Sequence, residues 1–143
     1  MSRRTPHSRD QRRSASARNP SCPCGLGETY ERCCGRFHRG ESTAPTAEAL
    51  MRSRYCAFVR LDEAYLLRTW HPRSRPAGLD LDPAMRWTGL EILGATEGTV
   101  FHDTGTVTFR ASYAGGSLWE RSRFERVGGV WVYVEAEPGG AVG

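Results

Sequence analysis

The chain has 143 residues, 38% of them apolar, with four Trp, five Tyr and five Phe to supply a core, and a formal net charge of +4. That is enough for one compact domain and a small appendage, and no apolar run approaches the ~20 residues that a membrane helix needs. All twenty basic residues are Arg and the excess charge is local: residues 1–21 hold six Arg against one acid, whereas the rest holds fourteen Arg against fifteen acids.

Residues 1–20 are Arg, Ser, Pro, Asn and Gln with almost nothing apolar. Such a segment buries too little surface to offset its ordering entropy, so it reads as a disordered basic tail. Its charge allows weak, non-specific contact with nucleic acid, but it has no Trp, Tyr or Phe to stack on bases. No apolar segment follows the basic start as a secretory signal would require, and the expected compartment is the cytoplasm.

Residues 21–38 carry the strongest chemical signal. Four of the five cysteines fall within thirteen residues, Cys22-Pro-Cys-Gly-Leu-Gly-Glu-Thr-Tyr-Glu-Arg-Cys-Cys34, spaced C-x-C, eight residues, then C-C. Sulfur at that density suits one tetrahedral site, with zinc as the expected metal and iron as the other candidate for four thiolates. The expected ligands are Cys22, Cys24, Cys33 and Cys34, with His38 as a competitor for Cys34. Disulfides 22–33 and 24–34 are the competing chemistry, which a reducing compartment disfavours. Gly25 and Gly27 let the backbone turn around an ion. Arg32, Arg36 and Arg39 lie close enough in sequence to offset the −2 charge of a divalent ion on four thiolates. A site filled by four protein ligands is structural rather than catalytic.

After a linker over 39–45, Thr46 caps a helix with Glu48 in its first turn. At 100° per residue, Ala47, Met51, Tyr55 and Phe58 share one apolar face. Arg54 falls inside that face and must find a partner; Glu120 and Glu135 are the candidates. Cys56 points away from the face and reads as packing. Asp62 caps a second helix over 63–70, which Pro72 ends. His71 reads as a hydrogen-bonded residue at a helix end, or as an acid–base group at a pocket mouth. Residues 73–86 form a loop. Strands are expected over 87–96, 100–113, 118–127 and 130–136, with Ala114-Gly-Gly-Ser117 and Gly128-Gly129 as hairpin turns. Val107, Phe109, Ala111 and Tyr113 alternate onto one face. The class is α+β: two helices packed on a curved antiparallel meander over 46–137, with a disordered terminus at 138–143.

The segment C-P-C-G-x-G-x-x-Y-x-x-C-C-G resembles the SEC-C metal-binding motif, named from the C-terminus of the SecA translocation motor. The resemblance carries the ligand role to Cys22, Cys24, Cys33 and Cys34; Leu26 stands where that motif usually has Ser. Further on, L-M-R-S-R-Y-C-A-F at 50–58, T-W-H-P at 69–72, W-x-G-L at 87–90, V-x-F-x-A-x-Y at 107–113, E-R-S-R-F at 120–124 and W-x-Y at 131–133 resemble the YchJ family of small bacterial proteins. That resemblance implies a domain similar to nuclear transport factor two (NTF2), a cone of helices against a curved sheet. The motor's SEC-C motifs are associated with chaperone and ribosome contacts, which implies an adaptor with a protein or ribosome partner.

No nucleophile–base pair, carboxylate dyad or Gly-rich phosphate loop is visible, so no catalytic residue is assigned. The alternative is a small-ligand binder or an enzyme of hydratase or isomerase type using the cone's cavity. Its candidate pocket residues are Arg54, Tyr55, Trp70, His71, Glu120 and Arg123. A bland third reading makes the knuckle an appendage whose metal staples only residues 21–38.

Overall fold

A computed structural model describes residues 20–137. The tails expected at 1–20 and 138–143 lie outside the described residues, apart from Pro20. A 3-10 turn, Tyr30–Arg32, leads into the short helix α1, Cys34–His38; helices α2, Ala47–Val59, and α3, Glu63–Arg68, follow. Four strands complete the chain: β1, Trp87–Glu97; β2, Thr104–Tyr113; β3, Gly116–Val127; and β4, Val130–Ala136. They form one antiparallel meander in the order β1-β2-β3-β4, the α+β architecture expected.

Local chemistry sets the helix ends. Thr46 is extended and its Oγ1 accepts from the Ala49 amide at 3.0 Å, the expected cap of α2. At the other end, the Asp62 amide reaches Ala57 O at 2.8 Å and the Leu61 amide reaches Phe58 O at 3.3 Å. This is a Schellman closure, with Leu61 at φ 59° where glycine is usual. Asp62 then caps α3 by accepting from the Tyr65 amide at 3.1 Å. A single turn thus ends one helix and starts the next.

The inward residues of β2 are those expected: Val107, Phe109 and Ala111 are buried, joined by Phe124 from β3 and Trp131 from β4. α2 crosses this face with Leu50, Met51 and Tyr55 in the same core. Four boundaries differ from the sequence expectation, the smallest being β1, which runs one residue further to Glu97. α3 stops at Arg68 because Trp70 pairs in parallel with Tyr133; the His71 amide donates to Tyr133 O at 2.7 Å and the Tyr133 amide to Thr69 O at 2.8 Å. That pairing covers the open edge of β4. β2 starts at Thr104 because residues 99–103 form a turn closed by the His102 amide on Thr99 O at 3.0 Å. Gly116 and Ser117 belong to β3, so Ala114-Gly115 alone makes the second hairpin turn. Among the described residues no helix is long and apolar enough to cross a membrane.

Candidate metal centre and the cavity beside it

The knuckle is a small hairpin. Ser21 bridges Thr29, the Cys22 amide donates to Glu28 O at 2.8 Å, and the chain turns through Gly25 (φ 88°) and Gly27 (φ 89°). The turn brings Cys22 and Cys24 back against the start of α1, which carries Cys34. The sulfurs of Cys22, Cys24, Cys34 and Cys56 all lie within 4.8 Å of one another. Each of these residues is at most 4% exposed. The Sγ atoms of Cys22 and Cys56 are 3.4 Å apart. Cys33 is also buried, with its sulfur 3.5 Å from that of Cys24, but it is outside the mutually close set of four. All five cysteines are free thiols.

Cys56 is the residue that sequence reasoning missed. Its position off the apolar face of α2 is correct, but that second face is not solvent: the knuckle sits on it. Arg52, Ser53, Cys56 and Arg60 fall on one side of α2 at helical spacing. The Arg52 guanidinium donates to Cys24 O at 2.6 Å and is itself held by Glu48 at 3.0 Å. Ser53 O accepts from His38 Nε2 at 2.9 Å, and the Arg60 guanidinium lies 4.0 Å over the Tyr30 ring. The odd fifth cysteine, on the same helical stripe as two arginines, was the available signal.

His38 is committed elsewhere. Its Nε2 donates to Ser53 O, and its Nδ1, the acceptor in that tautomer, takes the Tyr30 hydroxyl at 2.6 Å. Neither ring nitrogen is left for a metal, and burial lowers its pKa despite Asp62 nearby. The nearby arginines are also partly engaged: Arg39 pairs with Glu31 and Glu41, and Arg36 donates to Cys33 O at 3.2 Å.

The thiols cannot all ionise together without a cation. Cys22 is held far below the ordinary thiol range by hydrogen bonds from Cys24, then Cys34 and Cys56. Cys34 and Cys56 are driven up, first through their hydrogen bonds to Cys22. For Cys24 the bond to Cys22 raises the pKa, but those to Cys34 and Cys56 outweigh it and bring it to about 6. Cys33 is pushed up to about 12, chiefly by burial. Two of the four close thiols, Cys22 and Cys24, are thus lowered and two, Cys34 and Cys56, are raised, so the buried cluster ionises fully only with a compensating ion. A divalent metal that prefers thiolate fits the donor set.

On the opposite side of α2 a cavity of about 210 Å³ lies between the helix and the sheet. Its apolar wall includes Met51, Tyr55, Phe58, Trp87, Phe109 and Leu118; its polar end has Arg54, Trp70, Glu120, Ser122 and Tyr133. Four of the six expected pocket residues are therefore there. His71 is not: it pairs with Glu125 at 3.4 Å and its Nδ1 accepts from the Arg73 amide. Arg123 is not either, since it pairs with Glu135 at 2.9 Å.

Arg54 does not make the expected ion pair with Glu120 or Glu135. Its Nη1 donates to Leu66 O and Thr69 Oγ1, each at 2.7 Å, and its guanidinium lies 4.6 Å from the Tyr133 ring and 5.1 Å from that of Trp70. Glu120 instead accepts from Ser122 at 2.6 Å. Desolvation lowers Arg54 to about 10, so it stays charged at neutral pH. Trp70 Nε1 is buried with no hydrogen-bond partner among the described residues.

Residues 46–136 match the family described as YchJ, middle NTF2-like domain, and residues 18–36 match the SEC-C motif. A UPF0225 protein of Streptomyces avermitilis is 72% identical over 95% of this chain and 96% of its own length. One from Corynebacterium glutamicum is 53% identical over 78% of this chain and 92% of its own. The solution structure of a SEC-C motif containing protein from Rhodopseudomonas palustris superposes with a TM-score of 0.71, at 36% identity, over 81% of this chain and 96% of that one. A crystal structure of a SEC-C motif containing protein from Psychrobacter arcticus superposes at 0.66, with 26% identity, over 85% and 83% of the two chains.

Proposed function

The chain belongs to the YchJ family, and on that premise we propose that it is a zinc protein whose metal is structural and which works through contacts with a protein or ribosome partner rather than by catalysis. The observation that carries the metal reading is the buried cluster of sulfurs, four of them mutually within 4.8 Å. Four protein ligands leave no open position for a substrate or a reactive water. The knuckle's exposed apolar tip is Leu26, 59% exposed between the two positive-φ glycines and suited to a partner's groove. In the reducing cytoplasm expected for this chain the thiols stay available to the ion.

Two measurements test this reading. Protein taken from its native cell without added metal should contain about one zinc per chain, by elemental mass spectrometry. The metal-loaded full chain should co-sediment with ribosomes or retain a protein partner at low salt, and Leu26→Asp should abolish that contact without changing metal content. Absence of any partner with wild-type protein removes the adaptor reading.

A second reading is small-ligand binding in the cavity. It is favoured by Arg54, a buried cation with no carboxylate within 4.0 Å among the described residues, beside the unpartnered Trp70 Nε1. Native mass spectrometry of the chain purified from its own cell should show a co-purified small molecule that Leu118→Trp, which fills the cavity, excludes.

A further inference from the structure

We propose that Cys56 is the fourth metal ligand, together with Cys22, Cys24 and Cys34, so that the ion cross-links the knuckle to helix α2 and leaves Cys33 as an unligated thiol. The inference rests on the metal reading above and concerns which residues of this chain meet the ion.

Distance is the first support. A tetrahedral site with metal–sulfur bonds of ~2.3 Å places its ligand sulfurs ~3.8 Å apart. The sulfurs of Cys22, Cys24, Cys34 and Cys56 are already mutually within 4.8 Å, and Cys22 and Cys56 approach to 3.4 Å. Small side-chain adjustments convert that packing into a coordination shell. Cys33 meets Cys24 at 3.5 Å but does not join the mutually close four.

The backbone supplies the second support. Cys33 sits at the break between the 3-10 turn and α1, with φ −115° and ψ −112°, outside both helical geometries. Cys34 is the first residue of α1 and only 1% exposed. The break separates two adjacent side chains, and Cys34 is the one that joins the mutually close set.

The third support is how firmly Cys56 is held. It lies in the interior of the thirteen-residue helix α2, 0% exposed. Arg52 to Cys24 O and His38 to Ser53 O, four and three residues before it, fix the knuckle to the same stripe. A ligand placed on a rigid helix, one turn after two such contacts, needs little reorganisation to bind. Arg52 and Arg60 stand on this stripe too, on the side where four thiolates and a divalent ion leave net negative charge.

The consequence is a coupling between modules that a metal held within residues 21–38 alone would not give. With Cys56 as ligand, removing the ion loosens the seat of the knuckle on α2, and the backbone signals of α2 respond as well as those of the knuckle.

The test uses the full wild-type chain loaded with ¹¹³Cd²⁺. Proton–cadmium correlation spectra report directly which cysteine Cβ protons couple to the ion. The expected result is correlations from Cys22, Cys24, Cys34 and Cys56 and none from Cys33. Correlations from Cys33 with none from Cys56 overturn the proposal while leaving the metal reading intact; a wild-type chain that takes up no metal at all overturns both. Paired variants give a second readout. Cys33→Ser should keep wild-type metal affinity, and Cys56→Ser should weaken it beyond the ~10–100-fold typical of residues that only support a ligand. The reverse order of the two affinities contradicts the assignment.

Discussion

The two faces of α2 use the same helix in opposite ways. Toward the sheet it presents Leu50, Met51 and Tyr55 to a hydrophobic core and encloses a cavity around Arg54. Toward the knuckle it presents Arg52, Ser53, Cys56 and Arg60, and here burial is organised by hydrogen bonds and sulfur. The first face is stabilised by removing apolar area from water, and any volume-conserving residue serves it tolerably. The second has little apolar area to remove, so its stability depends on packed sulfur and on particular donors and acceptors. A helix buried on both sides therefore has one face tolerant of chemistry and one that is not.

The comparison can be broken most severely from the knuckle side. Cys24→Ser removes a fully buried sulfur that belongs to both the four-sulfur set and the motif's ligand set. Loss of metal and a destabilisation of more than about 4 kcal/mol are expected, read by metal content and denaturant melts in parallel. On the sheet side, Leu50→Ala opens a cavity at a residue 1% exposed. It should cost about 2–5 kcal/mol and leave metal stoichiometry at wild type. A change in metal content on that substitution would show that the two faces are not separable.

Arg54→Met sharpens the comparison further. It removes a buried cation but strands Leu66 O and Thr69 Oγ1, which accept from it. The expected cost is about 1–3 kcal/mol, again without loss of metal, by denaturant melts. The smallest effect is a pH dependence at His38. Burial depresses its folded pKa, so the folded state favours the neutral ring more than the unfolded state does. Stability from this group is complete above the unfolded value of ~6.5 and falls as pH drops through it toward the folded pKa, with a slope of at most ~1.4 kcal/mol per pH unit. His38→Gln should flatten that slope; metal content followed at each pH separates it from acid release of the ion.

The sequence shows the sheet face of α2 and hides the other for a physical reason. A period of 3.6 in apolar residues marks only what is buried by hydrophobicity, and it found Met51 and Tyr55 and the alternating Val107, Phe109 and Ala111. Ser53 and Cys56 are buried as deeply but by a polar, sulfur-rich partner, and a pattern of apolar residues is blind to that. The caps Thr46 and Asp62 were legible because capping is local chemistry. The end of α3 was not, because Trp70 leaves helical geometry to pair with Tyr133, more than sixty residues away. Of the pocket candidates drawn from the cone-fold resemblance, Arg54, Tyr55, Trp70 and Glu120 line the cavity, whereas His71 and Arg123 turn instead to Glu125 and Glu135. Whether a charged side chain faces a cavity or pairs outside it is decided by strand register, which the sequence does not display.

The most direct test of the metal centre is X-ray absorption at the metal edge on protein purified from its native cell without added metal, with elemental analysis of the same sample. The expected result is about one zinc per chain surrounded by four sulfurs at ~2.3 Å. Protein without metal, or a metal whose nearest shell is oxygen or nitrogen, would contradict the account.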